Sequence, residues 1–314
     1  MIGMQNSLED ELISAIMTKT ITVLVEGNYD VKVYDKIINN EEKLAEVIAI
    51  ETIENFTEGC RAVVDAARYV DNMTGTNHIA KDYILGVIDK DVKDFRNEIP
   101  NVKALLVLDV YSIESHFINI EVIDFLLRMC VQGTSDLYTT ELEEEILVKC
   151  INSMELLYIA SLEALKGSLD SNYTAEFKYS YEYGRLKDNV LFEKIIGKKI
   201  ELMEFASSLS LSHDLKTLKK ICKGKWLLSY FCEELEKSLK KLSNECKSGV
   251  VPQCQMCVKG VCNSCMYRML NAFSHRQMRE MAKQVTGSNE LVYIKDKVRS
   301  LNNKVNNKVN NKVA

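Results

Sequence analysis

The sequence of 314 residues contains only two prolines and thirteen glycines, so residues that interrupt regular structure are scarce. This composition excludes collagen-like chains and disordered chains rich in proline and glycine. With 46% hydrophobic residues, the sequence predicts a helix-rich protein with a substantial core. A single core seldom grows past about 250–300 residues, so we expect more than one domain.

Long apolar runs are also missing. No apolar stretch approaches the length of a membrane span, which is about 18 residues. Near the N-terminus, Glu9, Asp10 and Glu11 are acidic where a signal peptide would be cationic. We therefore expect a cytoplasmic protein. The formal net charge of −5 excludes a globally basic nucleic-acid-binding protein but leaves room for a local basic surface.

The sequence has few of the residues that serve nucleophilic or nucleotide chemistry. The four histidines form no convincing catalytic pair, and neither a Ser/His nor a Cys/His arrangement stands out. There is also no Gly-x-x-x-x-Gly-Lys loop, so any ATP hydrolysis would have to come from a partner.

Acidic residues do follow several strand-like runs. The run 21–25 is followed by Glu26, Gly27 and Asp30, the run 83–88 by Asp89 and Asp91, and the run 104–108 by Asp109 and then Glu114. With a further strand at 47–50 and helical periodicity between the runs, the order predicts a mostly parallel sheet with helices on both faces. Ligands bind at the carboxyl edge of such sheets, although an acid there can also serve only as a helix cap.

These motifs resemble the Toprim domain of topoisomerases, primases and OLD-type nucleases. Glu26-Gly27-x-x-Asp30 after a strand, followed by a strand ending in Asp89-x-Asp91, is the pattern that carries the resemblance, over about residues 18–120. It implies a Rossmann-like fold and a Mg²⁺ site formed by Glu26, Asp30, Asp89 and Asp91. One or two Mg²⁺ ions, or Mn²⁺, would support hydrolysis of phosphodiester bonds.

Two further motifs, the run 111–117 around Glu114 and the pair Gly224-Lys225, resemble a narrower OLD-like branch of nucleases. That resemblance implies catalytic roles for Glu114 and Lys225 beside Glu26, Asp89 and Asp91. It also implies a toxic effector of anti-phage abortive infection, held inactive by an ABC-type ATPase and active as a homodimer. Host tRNA is the implied substrate, with DNA as the alternative.

A basic patch of five lysines precedes the single tryptophan: Lys216, Lys219, Lys220, Lys223 and Lys225. On charge alone, binding of a polyanion and simple complementation of a helix dipole remain alternatives. The resemblance favours the first, with Lys225 neutralising charge that develops on a phosphate during attack.

Two Cys-x-x-Cys hooks form the strongest local motif, comprising Cys254, Cys257, Cys262 and Cys265. Four thiolates can surround one tetrahedral ion, and zinc is favoured over an iron–sulfur cluster. Four cysteine ligands leave no open position for a catalytic water, so the role would be structural. An adventitious cluster or disulfides are the alternatives. The other six cysteines show no ligand spacing, and we predict small buried hydrophobes.

Four segments follow from these patterns. We predict an α/β Toprim domain over 1–120, a mainly helical domain over 121–250, and a four-cysteine zinc element with a helix over 251–286. Over 287–314 we predict a last helix and a low-complexity, disordered tail. The tail contains the threefold repeat Asn-Asn-Lys-Val at 302–313. A tyrosine-rich segment at 171–184 could stack on nucleic-acid bases or pack against the helices.

Two classes of function remain open at this stage. The first is a metal-dependent nuclease. The second is a non-catalytic module that uses its fold and its zinc element to bind the ATPase or a nucleic acid. The cluster of acids favours the nuclease, because carboxylates that repel one another are costly to keep together without a cation.

Overall fold

The computed structural model describes residues 5–73 and 80–313. The chain divides into two units. The first comprises Met1–Asp109 and Thr286–Ala314, and the second comprises Val110–Val285. Within the described ranges, no helix has both the length and the apolar character to cross a bilayer.

The strands of the first unit are β1 (Ile21–Val25), β2 (Ala45–Ala49), β3 (Ile84–Ile88) and β4 (Leu105–Val107). The helices of the first unit are α1 (Leu8–Thr18), α2 (Asn28–Asn39), α3 (Cys60–Asp71) and α13 (Val292–Val313). Those of the second unit are α4 (Ile120–Cys130), α5 (Thr140–Asn152), α6 (Glu155–Leu169), α7 (Asn189–Gly197), α8 (Lys199–Ser208), α9 (Leu215–Ile221), α10 (Gly224–Ser248), α11 (Gln255–Val258) and α12 (His275–Ala282).

The four strands form one parallel sheet in the order β2-β1-β3-β4. Val23 on β1 pairs with Val47 on one side and with Leu85 on the other. Every residue of β1 and β3 is buried, as expected for parallel strands covered on both faces. The predicted α/β class with a parallel sheet is therefore confirmed.

Gly86 explains how closely α3 packs on the sheet. A Cβ at this position would lie 2.8 Å from Val63 Cγ1 on α3 and 3.0 Å from Leu105 Cδ1 on β4. Because neither neighbour leaves room for a methyl group, only glycine allows this contact. The close approach fixes α3, whose first residue lies at the carboxyl edge of the sheet.

Helix α13 lies in the segment where a last helix and a low-complexity tail are predicted. Helix α13 runs from Val292 to Val313, and Ile294, Val298 and Val305 are fully buried in the first unit. Ile294, Val298, Leu301 and Val305 recur every three or four positions, which keeps them near one face of an α-helix. The structure therefore contains a last helix, and this helix continues into the repeat that was predicted to be disordered.

The second unit is mainly helical, as predicted. Its tyrosine-rich segment forms no strand within residues 171–184, which the structure describes in full. Phe177 is fully buried with its ring centroid 4.8 Å from that of Trp226, and the Tyr179 ring stacks on Trp226 at 5.6 Å. Packing against the helices is therefore the use that the structure supports.

The apolar spacing over 141–164 is typical of one helix, but the structure has two helices there. Helix α5 ends at Asn152 and α6 begins at Glu155, with the Ser153 side chain bonded to the Cys150 carbonyl. A hydroxyl that bonds the backbone locally competes with helical hydrogen bonds. The apolar spacing is nearly continuous across this break, so the sequence pattern alone does not reveal it.

Candidate functional site

The carboxyl edge of the sheet brings two predicted acids together. Glu26 follows β1 and Asp89 follows β3, and the Asp89 N–H donates to Glu26 Oε1 at 2.9 Å. The Glu26 carbonyl accepts from the Gly59 N–H at 2.8 Å. Adjacent parallel strands place their next residues side by side, and this pairing of β1 with β3 accounts for the contact. We call Glu26, Asp30, Asp89 and Asp91 the acid edge.

The Glu26 carboxyl lies in an environment that disfavours its charge. Burial raises its pKa to about 7, and the negative charges of Asp91 and Asp30 act in the same direction. The Asp89 N–H and the Lys93 ammonium oppose the increase only in part. A half-buried carboxylate beside two other acids is a group that a bound cation would stabilise.

Asp91 stands on a strained turn. Its φ of 49° lies in the left-handed region, which is uncommon for a residue other than glycine. Asp91 Oδ2 lies 2.5 Å from Lys93 Nζ, and the same ammonium donates to the Asp89 carbonyl at 2.9 Å. Although burial lowers the pKa of Lys93, its contact with Asp91 raises it above the ordinary value. Lys93 is thus a cation inside the acid edge.

Asp30 lies in the first turn of α2, where Gly27 is the N-cap and its carbonyl accepts from the Asp30 N–H at 3.0 Å. Its charge contributes to the raised pKa of Glu26. The structure therefore brings all four predicted ligands of the first unit to one edge. Hard oxygen donors of this kind suit Mg²⁺.

Several residues at this edge have no counterpart in the sequence-based prediction. Lys93 is one, although the run Asp-Lys-Asp-Val-Lys could have suggested it. Tyr293 on α13 is a second, and its hydroxyl oxygen accepts from the Asp109 N–H at 3.2 Å. Cys60, at the start of α3, is half-buried rather than buried as predicted, and burial raises its pKa to about 11. Nothing local in the sequence links Tyr293 to an acid 184 residues away.

Glu51 adds a fifth acid, just after β2. Its Oε1 accepts from the Asn28 N–H at 3.0 Å and from the Asn28 side-chain amide at 2.7 Å. Its other oxygen, Oε2, is buried without a hydrogen-bond partner. Two donors from one asparagine fix Glu51 against the start of α2, so it supports the turn that carries Asp30.

The two other predicted catalytic residues, Glu114 and Lys225, belong to the second unit. Glu114 lies in the 3-10 helix Ile113–Phe117 and its Oε2 accepts from Ser112 Oγ at 2.7 Å. A Cβ on Gly224 would lie 1.9 Å from Ser112 Oγ and 3.2 Å from the Glu114 Cβ. Glycine at this position therefore lets the start of α10, where Lys225 is exposed, pack against the turn that carries Glu114.

The predicted basic patch is less exposed than its sequence suggests. Lys219 is only 5% exposed, and Lys223 donates to the Tyr179 carbonyl at 3.0 Å. Lys219 and Lys220 lie in the last turn of α9, where cations complement a helix dipole. Of the five lysines, Lys216 and Lys225 are exposed.

A second candidate metal site lies in the second unit. Its four cysteines are all buried, and their sulfur atoms lie within 4.8 Å of one another: Cys246, Cys254, Cys257 and Cys265. We call this group the cysteine cluster. Three of its members were predicted, but Cys246 takes the place predicted for Cys262. In the described part of the chain, this is the one group of three or more metal-ligating side chains whose donor atoms come so close.

The exchange of Cys262 for Cys246 has a structural reason. Cys246 lies in the last turns of α10, and the Cys254 N–H donates to its sulfur at 3.3 Å. Cys262 is half-buried and its thiol contacts Cys257 from outside the cluster. The sequence holds no signal that selects Cys246, because seven residues separate Cys246 from Cys254 and seven also separate Cys254 from Cys262.

The geometry of the cysteine cluster fits a tetrahedral ion. The Cys254 and Cys265 sulfurs are 3.9 Å apart, close to the about 3.8 Å expected between two thiolates bound to one zinc at about 2.3 Å. The Met266 N–H donates to Cys254 Sγ at 3.4 Å. Burial raises the pKa of Cys254, but N–H groups of Met266 and Cys257 and neighbouring thiols lower it to about 6. A buried group of four cysteines in this arrangement could hold a structural metal such as zinc.

Four other cysteines, Cys130, Cys150, Cys222 and Cys232, are buried outside the cluster, as predicted for small hydrophobic residues. Comparison of the whole chain with models of protein families and with curated proteins finds no match.

Proposed function

We propose that this protein is a Mg²⁺-dependent endonuclease of the Toprim type. The observation that carries the proposal is the hydrogen bond from the Asp89 N–H to Glu26, at the carboxyl edge of a parallel sheet where Asp30 and Asp91 also lie. The edge offers the hard oxygen donors that divalent cations prefer, and a bound cation would stabilise the carboxylate whose pKa is raised.

The acids have distinct roles in this proposal. Glu26, Asp89 and Asp91 would be the inner ligands, and Asp30 would complete or orient the site. A bound Mg²⁺ would supply a Lewis acid that polarises the phosphate and acidifies a water. The resemblance also implies catalytic roles for two residues of the second unit, Glu114 and the exposed Lys225, with Lys225 neutralising charge on a phosphate.

The cysteine cluster would have a structural role. Cys246, Cys254, Cys257 and Cys265 occupy every position of a tetrahedral ion, so no position remains for substrate or water. We propose that it binds one zinc ion and holds the segment after α10 in place. At such sites the free energy of metal binding contributes directly to the free energy of folding.

The resemblance extends the proposal to a biological role. It points to the effector nuclease of the PARIS anti-phage defence systems, which acts in abortive infection. In that role the chain would cleave host tRNA, would be held inactive by an ABC-type ATPase and would act as a homodimer in the cytoplasm. Restraint by a partner is physically reasonable for a nuclease that is toxic to its own host.

Cleavage assays on purified protein test the nuclease. We expect cleavage of RNA with Mg²⁺ and its loss, by about 10³-fold or more, in Glu26→Ala, Asp89→Ala and Asp91→Ala. Asp94→Ala is the matched control, because Asp94 lies on the same turn but pairs with Lys90 at 3.2 Å. Full activity in any of the three variants would remove that residue from the inner ligands.

Substrate choice is tested in the same assay with tRNA, other RNA and DNA in parallel. DNA cleavage without RNA cleavage would select the alternative substrate. Co-expression with the neighbouring ATPase should give a stable complex that cleaves nothing, and release should restore cleavage. An isolated chain that is harmless at high expression yet cleaves tRNA freely when purified would contradict this restraint.

A non-catalytic module is the second candidate, and one observation favours it. Lys93 already neutralises part of the acid edge, and no three acid oxygens among the described residues come within 4.8 Å of one another. A wild-type chain that binds nucleic acid or the ATPase but cleaves nothing with Mg²⁺ or Mn²⁺ would select this candidate.

A further inference from the structure

The ammonium of Lys93 occupies a position that a metal cation would be expected to share. It lies 2.5 Å from Asp91 Oδ2 and 2.9 Å from the Asp89 carbonyl oxygen, and its side chain is 16% exposed. Its charge also lowers the pKa of Glu26, which places it in electrostatic contact with a third member of the acid edge. The Cys60 thiol contacts it from the side of α3.

A second lysine on the same turn shows that this placement is specific. Lys90 lies three residues earlier, but its ammonium pairs with Asp94 at 3.2 Å and with the Asp109 carbonyl at 3.4 Å. The two lysines therefore serve different acids. Asp91 combines this contact with a left-handed backbone conformation, and a conformation of this kind persists only where surrounding contacts hold it.

Charge balance limits what else the edge can hold. The Lys93 ammonium already offsets part of the negative charge of the acid edge, through its contact with Asp91 and its effect on Glu26. Two ions in a nuclease site stand about 3.5–4 Å apart. A fixed ammonium in the same small volume repels a second ion, and this repulsion is strong where water is partly excluded.

We propose that the acid edge is a one-metal site in which the Lys93 ammonium takes the place of a second divalent ion and contacts the phosphate that is cleaved. This inference rests on the proposed nuclease function. In the reaction a water oxygen bonds to phosphorus, the phosphorus–oxygen bond to the leaving group breaks, and one water proton passes to the leaving oxygen. Lys93 keeps its proton and stabilises the charge on the phosphate oxygens.

Calorimetric titration of the zinc-loaded full chain with Mn²⁺ alone tests the placement without any cleavage. We expect one Mn²⁺ per chain for the wild type. In Lys93→Met, which keeps the length but not the charge, we expect about tenfold tighter binding of Mn²⁺ or binding of a second ion, because the competing ammonium is gone. Lys90→Met is the matched control and should bind Mn²⁺ as the wild type does.

Cleavage gives the second readout. Lys93→Met should lose about 10²–10³-fold in kcat, Lys93→Arg should retain part of the activity, and Lys90→Met should cleave normally. Two Mn²⁺ ions in the wild-type chain, or unchanged Mn²⁺ affinity in folded Lys93→Met, would overturn the inference. If Lys93→Met fails to fold, the number of Mn²⁺ ions bound per wild-type chain still tests the inference.

The two proposals fail in different ways. A wild-type chain that cleaves neither RNA nor DNA removes the nuclease function, and with it this role for Lys93. A wild-type chain that cleaves while Lys93→Met cleaves equally well removes the inference about Lys93 alone.

Discussion

In the second unit, four sulfur atoms lie within 4.8 Å of one another, whereas in the first unit the carboxylate of Asp91 pairs with the ammonium of Lys93. The difference follows from charge. Thiols are neutral when protonated and can be packed together by N–H donors such as those of Cys254 and Met266. Carboxylates repel one another and need a cation to approach. Protonated cysteines can therefore come together when the protein folds, whereas a cluster of carboxylates needs a cation to come together.

The largest expected effect concerns which cysteines form the cluster. We expect wild type and Cys262→Ser to contain one zinc per chain, and Cys246→Ser to lose it and to melt about 10 °C or more lower, because metal binding is coupled to local folding. Elemental analysis and thermal unfolding measure both quantities. Zinc retained in Cys246→Ser but lost in Cys262→Ser would restore the ligand set expected from the two hooks.

The next effect concerns the helix that supports the acid edge. Ile294 on α13 is fully buried, and we expect Ile294→Ala to lower the free energy of unfolding by about 2–5 kcal/mol. Val292→Ala is the control, because Val292 is 44% exposed and should change stability by less than about 0.5 kcal/mol. Denaturant unfolding distinguishes them. Equal stabilities would mean that α13 does not belong to the core of the first unit.

A smaller effect concerns the pH dependence of stability, to which Glu26 of the acid edge should contribute. Because the pKa of Glu26 is raised from its ordinary value near 4.5 to about 7, its contribution to stability is complete below pH 4.5 and is lost as the pH rises through 7. Without divalent ions, Glu26→Gln should therefore be about 1–3 kcal/mol more stable than wild type at pH 8, and the gap should close at pH 4.5. Saturating Mg²⁺ should narrow the gap at pH 8. A gap independent of pH would contradict the buried charge.

The smallest expected effect concerns Tyr293. Tyr293→Phe removes the oxygen that accepts from the Asp109 N–H, and we expect a loss of about 0.5–1.5 kcal/mol with the ring packing preserved. Urea unfolding of the first unit gives the difference. No change in stability, together with unchanged amide exchange at Asp109, would show that the contact is not maintained in solution.

The sequence predicted what depends on local pattern. Strands β1 and β3 are short, apolar and followed by acids, and parallel pairing brings those acids to one edge. Glu26 and Asp89 could therefore be placed together from the sequence. The hooks around Cys254 and Cys257 are likewise local.

The remainder depends on contacts between distant parts of the chain. Cys246 lies on α10, a helix that carries no hook, and only the course of the chain after this helix brings it to Cys254. A lysine on a turn commonly faces solvent, and only the folded turn shows that Lys93 pairs with Asp91 instead. In α13 the repeated asparagines and lysines indicate disorder when composition is considered, whereas the spacing of the valines indicates a helix with one buried face.

The discontinuity of the first unit affects the order in which the protein can be completed. A ribosome synthesises residues 110–285 after the four strands and before α13. Until α13 is synthesised, the core of the first unit lacks Ile294, Val298 and Val305. The Asp109 N–H also lacks the Tyr293 hydroxyl oxygen that accepts its hydrogen bond. The second unit therefore has the opportunity to fold first, and contacts across 184 residues close slowly. A nascent chain thus carries the acid edge well before it carries α13, the helix that completes the core of the first unit.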